Sequence, residues 1–159
     1  MSGIFEIAEE MEAAVPSGAI AGLDLGTKTI GVAVSDGLRS VATPLKTIRR
    51  KKFTVDASAL TAILDHRDIK GIVLGLPRNM DGSEGPRAQS TRAFARNLSQ
   101  TVPQPICLWD ERLSTVAAER ALLDADTSRR RRAEVIDHVA AAYILQGFLD
   151  RLAFLKTTA

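Results

Sequence analysis

The sequence predicts an α/β domain on a mixed five-stranded sheet, three antiparallel strands followed by two parallel ones, with helices on its faces. Three observations predict it. A glycine-punctuated apolar pair, residues 19–25 and 29–35, reads as a hairpin. The run Gly71 to Leu76 is short and wholly apolar, the pattern of a strand buried on both faces. Helix-period segments separate this run from the strands before and after it.

Gly26-Thr27-Lys28 supplies the turn of the hairpin, and β-branched residues resume the second strand. Val41 to Ile48 is a third strand, with Pro44 marking an edge or a bulge. The basic connector Arg49-Arg50-Lys51-Lys52 leads into a helix over 53–66, where Val55, Ala59, Leu60, Ile63 and Leu64 keep helical spacing. After the apolar strand comes a polar loop over 77–85. Ser83 is a reasonable helix cap and Pro86 suits the first turn. Ala88, Thr91, Phe94, Ala95 and Leu98 carry that helix to about Ser99. Pro103 to Trp109 is the fifth strand, and Ser114 can cap a helix to about Leu123. The last helix spans 133–152 with Ile136, Val139, Ala140, Tyr143 and Ile144 facing inward. Right-handed crossovers set the fourth and fifth strands parallel to the first.

The chain of 159 residues is long enough for one domain with a real core, placed over 18–153. An acidic arm, 1–17, precedes it and a tail, 154–159, follows. Ile4, Ile7, Ala8 and Met11 can share a helix face, but the acidic composition favours a loose extension. A net charge of +2 excludes a bulk electrostatic case for nucleic acid, so any basic footprint is local. The lone Cys107 excludes an internal disulfide framework; it sits in an apolar run and fits a reduced, cytoplasmic setting. No apolar run approaches the ~20 residues of a membrane span, and the arm lacks the basic and apolar order of a secretory signal.

Three carboxylates lie in apolar surroundings, one per element. Asp24 is near the end of the first strand and Glu111 just past the fifth. Parallel strands open both onto the sheet edge where such folds bind ligands. Asp137 sits in the last helix beside Ala140 and Ala141, whose small side chains allow close approach to the sheet. Each has a structural alternative: Asp24 a turn or cap residue, Glu111 an ion pair with Arg112, Asp137 an acid favoured near a helix start. Together, three such acids repel one another unless a cation joins them. Carboxylate oxygens suit Mg²⁺ or Mn²⁺, and there is no Cys/His cluster for zinc. Two such ions, about 4 Å apart, would activate a water and stabilise the leaving oxygen of a phosphodiester, with Asp24 bridging. Asp36 and Asp110 read as turn residues, and neither His66 nor His138 is assigned a catalytic role.

With these motifs in hand the chain resembles the YqgF family, also called RuvX. The resemblance rests on Asp24-Leu-Gly-Thr-Lys-Thr-Ile-Gly-Val-Ala-Val-Ser, Gly75-Leu-Pro-Arg-Asn-Met-Asp-Gly-Ser, Asp110-Glu-Arg-Leu-Ser-Thr and Ile136-Asp-His-Val-Ala-Ala, and covers about residues 19–152. It implies an RNase H-like fold, kinship with the resolvase RuvC, and a metal-dependent nuclease whose acids fall on Asp24, Glu111 and Asp137. It also implies maturation of the 5′ end of pre-16S ribosomal RNA in ribosome biogenesis, or resolution of four-way DNA junctions.

A nuclease needs cations along the backbone it cuts. Arg78, Asn79, Arg87, Arg92 and Arg96 cluster around the polar loop and the helix after it; Arg92 and Arg96 share a face by spacing. Arg78 and Arg112 adjoin strand ends on the active edge, and Lys28 lies in the first turn, where the amides of Gly26 to Lys28 can meet a phosphate. Arg130 and Arg131 belong to a second basic block, Arg129 to Arg132, which is either a grip on nucleic acid or a solvated loop. Aromatic residues at 4% argue against base stacking as the main contact, so structured RNA or branched DNA is expected to be recognised by shape and backbone. An ATPase of the actin and sugar-kinase type shares the Asp-x-Gly-Thr turn but needs two such domains. A non-catalytic assembly module is the remaining alternative, and the intact acids argue against it. The sequence leaves the oligomeric state open.

Overall fold

The computed structural model describes residues 3–113 and 129–158, with side chains over 3–113 and 138–157. The expected helix from Ser114 to about Leu123 lies outside the described residues.

In chain order the elements are β1 (Ile4–Phe5), α1 (Ala8–Ala14), β2 (Ile20–Leu25), β3 (Thr29–Ser35), β4 (Ala42–Arg49), α2 (Phe53–His66), β5 (Gly71–Leu76), α3 (Pro86–Ser99) and β6 (Ile106–Asp110). A short 3₁₀ turn follows at Glu111–Leu113, and α4 runs over Arg129–Thr158. The sheet order is β1-β6-β5-β2-β3-β4. β3 runs antiparallel to β2 and β4, whereas β5 and β6 are parallel to β2, as right-handed crossovers require.

The sheet therefore has six strands among the described residues, not five. The sixth is the arm's own Ile4–Phe5, paired in parallel with Ile106 and Cys107. Two residues are too few to show a period in the sequence, and the Ile106 amide donates to the Gly3 carbonyl at 2.9 Å. The arm is not a loose extension. Ala8 and Met11 are buried, and Met11 packs over Gly71, so α1 closes one end of the sheet. Its strand also covers the β6 edge, which would otherwise present unpaired backbone groups.

Alternation along the strands splits the apolar residues into two layers. Leu23, Ile30, Val32, Ile72 and Leu74 pack with Leu60, Leu64, Phe94 and Leu98 beneath α2 and α3. Ile20, Ala33, Val73, Cys107 and Trp109 pack with Ile144, Phe148 and Leu149 beneath α4. Trp109 stacks on Phe148 at 6.1 Å, and Phe53 meets Phe94 edge-on at 5.8 Å. Desolvation pushes the Cys107 thiol up to about 12, so this cysteine is a core residue rather than a nucleophile.

Pro44 does sit on an edge strand. The register slips between Val32 and Ala33, leaving Leu45 as the extra residue of a bulge. Helix α3 starts without the expected Ser83 cap: Gly85 holds the cap position and makes no side-chain bond. The Ser83 hydroxyl instead donates to Asp81 at 2.6 Å and accepts from Asn79 Nδ2 at 2.9 Å, tying down the loop. α4 begins earlier and ends later than its apolar period suggests. Residues 154–158 continue that helix instead of forming a tail. Arg129 to Arg132 form its first turn instead of a loop.

Candidate active site at the carboxyl edge of the sheet

Asp24 is only 3% exposed near the carboxyl end of β2. Ile20, four residues earlier on the strand, belongs to the α4 layer, so Asp24 points to the same face. Its cross-strand partner on β3 is Gly31. On the other side, Leu23 pairs with Leu74, so the next step sets Asp24 level with Gly75. The carboxylate is thus flanked by two residues without side chains, and other groups can lie against the sheet beside it. Gly22, two residues back, brings β2 against α4: a Cβ there would lie 2.9 Å from the Ala141 carbonyl oxygen and 2.7 Å from Leu145 Cβ.

Glu111 follows β6 and bends back over its neighbour. A Cβ on Gly75 would meet Glu111 Oε1 at 2.8 Å and Ile144 Cδ1 at 2.5 Å. Glycine at 75 is therefore what lets the Glu111 carboxylate lie over β5, next to the strand that carries Asp24. Arg112, the partner suggested by adjacency, forks onto Asp110 instead, with Nη2 2.7 Å from Oδ2 and Nε 3.1 Å from each oxygen.

Asp137 lies in the part of α4 whose side chains are outside the described residues, but the helix path directly after it is fixed. His138 Nδ1 and Thr47 Oγ1 are 2.9 Å apart, and Thr47 pairs with Gly31, the partner of Asp24. Further along, Gln146 accepts from the Ala42 amide at 2.9 Å, level with Ser35. α4 therefore runs antiparallel to β2, and its backbone at 137–138 is level with Asp24. Among the described residues, no three His, Cys, Asp or Glu side chains form a metal-holding group.

The basic residues divide. Lys28, Arg87 and Arg96 are exposed, and Arg87 reaches the Leu25 carbonyl at the end of β2 at 3.4 Å. Asn79 and Arg112 are tied to the 77–85 loop, Arg112 through the Met80 carbonyl at 3.4 Å. Arg92 is held by Glu84 at 2.6 Å and by Glu6 of the arm at 2.7 Å, so it does not simply share a free face with Arg96. Arg130 and Arg131 stand in the first turn of α4, their side chains outside the described residues. The Gly26 amide, expected to meet a phosphate, is bonded to the Thr29 carbonyl at 2.8 Å. Sequence reasoning missed Arg50, which donates to the Gly26 carbonyl at 2.6 Å while its amide bonds Lys28, bracing the turn after Asp24. Its only signal was membership of the basic connector.

The Arg112 side chain, then its amide, hold the Asp110 carboxyl below its ordinary range. A depressed folded value means that the pair's contribution to stability is complete above the unfolded carboxylate range near pH ~4 and is lost as pH falls through the lowered value. Asp110→Asn is thus expected to unfold more easily than the parent at neutral pH. The difference should shrink in more acidic buffers, as read from denaturant midpoints at stepped pH; a gap that widens on acidification would contradict it.

The pattern that defines the RuvX family, described as a Holliday junction resolvase, matches residues 18–151. The chain belongs to the RuvX family. A relative from Cereibacter sphaeroides is 76% identical over 96% of both chains and bears the name "Putative pre-16S rRNA nuclease". A second of that name, from Paracoccus denitrificans, is 72% identical over 98% of this chain and 99% of its own. Thermus thermophilus RuvC, solved with a Holliday junction substrate, superposes with a TM-score of 0.55 at 10% identity over 86% of this chain and 96% of its own. That likeness establishes the RNase H-like fold. No described helix is long and apolar enough to cross a membrane.

Proposed function

We propose that this RuvX-family chain is a metal-dependent nuclease that hydrolyses phosphodiester bonds of precursor 16S ribosomal RNA at its 5′ end, with Asp24, Glu111 and Asp137 as metal ligands and catalytic residues. The observation that carries this is the placement of Asp24 and Glu111 on one sheet face, with glycine at 31 and 75 in place of side chains. Two relatives named for pre-16S rRNA support the substrate. The family description and the RuvC likeness support the second reading, cleavage of four-way DNA.

The donor set fits a hard divalent cation: carboxylate oxygens beside two residues without side chains. When bound, Mg²⁺ or Mn²⁺, as one ion or a pair, supplies Lewis-acid stabilisation of the scissile phosphate and an activated water. The chain's residues do the rest. Asp24 and Glu111 fix anionic oxygens on rigid strand ends. The α4 backbone sets Asp137 level with Asp24. Arg78 and Arg112, two residues past the ends of β5 and β6 and both paired with Asp110, are the donors assigned to the sugar–phosphate backbone.

The test is direct. Purified protein is incubated with precursor 16S rRNA and with four-way DNA junctions, with and without Mn²⁺. Metal-dependent trimming of the RNA at its 5′ end, with the junction intact, supports the first reading. Symmetric nicking of the junction alone supports the second, and loss of neither substrate under any metal condition refutes both.

A further inference from the structure

We propose that Arg78 and Arg92 form a phosphodiester subsite at the end of β6, and that Glu6 of the amino-terminal arm occupies it until a backbone phosphate displaces it. This rests on the nuclease reading above and adds a resident competitor to the site.

Arg78 is the unsatisfied member. Three carboxylates surround its guanidinium, yet none is close: Glu84 Oε2 at 3.5 Å, Glu6 Oε1 at 3.8 Å and Asp110 Oδ2 at 3.9 Å. Its buried Nε has no acceptor among the described residues. A guanidinium held among acids without a close bond is positioned for an anion of different reach. Arg92 is the anchored member. Glu84 grips it with both oxygens, Nε to Oε1 at 2.6 Å and Nη2 to Oε2 at 2.8 Å.

Glu6 differs from Glu84. It reaches Arg92 with one oxygen, at 2.7 Å, and that same Oε1 is its contact to Arg78. Its side chain is 52% exposed, against 22% for Glu84. A phosphate oxygen standing where Glu6 Oε1 stands would meet both guanidinium groups. The displaced Glu6 carboxylate stays tethered nearby, so its repulsion of the incoming phosphate is the cost that a glutamine at this position removes. The arm stays in place meanwhile, because β1 is held by backbone pairing with β6 and α1 by buried Met11, neither of which uses the Glu6 carboxylate. The subsite meets the end of β6 through Asp110, the residue before Glu111 in the chain.

The full-length chain and its Glu6→Gln, Arg78→Gln and Arg92→Gln variants are titrated, in EDTA to prevent cleavage, against a fluorescein-labelled RNA hairpin with a single-stranded 5′ extension. Glu6→Gln should tighten the Kd by about two- to fivefold, the range an exposed ion pair is worth. Each arginine variant should weaken it by a similar factor, and the gain from Glu6→Gln should shrink on the Arg92→Gln background. Thermal unfolding of each variant checks that the fold is retained. If the arginine variants weaken binding while Glu6→Gln leaves it unchanged or weaker, the competitor role of Glu6 is overturned and the nuclease reading stands. If the arginine variants bind as the parent does, the subsite itself is overturned. The cleavage assay with precursor rRNA tests the nuclease reading separately.

Discussion

Asp24→Asn should lose metal-dependent cleavage by at least about a hundredfold, the scale on which removing one preorganised electrostatic group costs a reaction, while the protein stays folded. The substitution keeps the shape of a nearly buried side chain and removes its charge. Asp24 shares its face with Glu111, so one charge fewer also relieves repulsion in the metal-free protein. The apo variant should therefore remain folded, with a melting temperature close to the parent's. A residue that served only as a turn or cap would behave in the opposite way. Its loss would cost about 1 kcal/mol of stability and leave catalysis alone. Measuring single-turnover cleavage and thermal unfolding on the same preparation separates the two, and full activity in the variant would end the metal role.

Gly22→Ala should be the most damaging small substitution. The added methyl would press on the Ala141 carbonyl oxygen, which is backbone and cannot rotate away, and on Leu145. Overpacking of this kind costs about 1–3 kcal/mol, equivalent to roughly 3 to 10 °C in Tm for a chain of this size. The relief available is a shift of α4 away from β2. That shift would carry the 137–138 segment off the level of Asp24, so cleavage should fall further than stability alone explains. Alanine at 37, where no atom lies within 4 Å of the added methyl, is the matched control. A Gly22→Ala protein that melts and cuts like the parent would refute close helix–sheet contact at this point.

Much of this architecture is legible in the chain. The bounds of Gly71–Leu76 are plain in the sequence, because a strand buried on both faces has no polar interruption to blur its ends. Pro44 announced the edge strand and its bulge. Asp24 and Glu111 were legible because strand ends on one edge are a matter of topology, not of side-chain detail. Other features depend on partners far away in sequence. β1 is two residues long and exists only by pairing with β6. Ser83 looked like a cap but found better partners within its own loop. Arg92 looked like one of a pair on a helix face, yet its carboxylate partner Glu6 is 86 residues away. The last helix outruns its apolar stripe because its final turns find acids on α1 and a ring on themselves. Arg151 lies 5.6 Å from the Phe154 ring centre, and Lys156 is 3.7 Å from Glu12.

Those last contacts matter for anyone handling the protein. α4 is one rod of 30 residues, about 45 Å long, whose third turn lies level with Asp24 and whose far end grips the arm through Arg151 with Glu9 and Lys156 with Glu12. A fusion ahead of Gly3 or after Thr158 would therefore load the same end of this stiff spar. Affinity tags are a chemical variable here, and untagged protein is the proper reference for any rate or affinity.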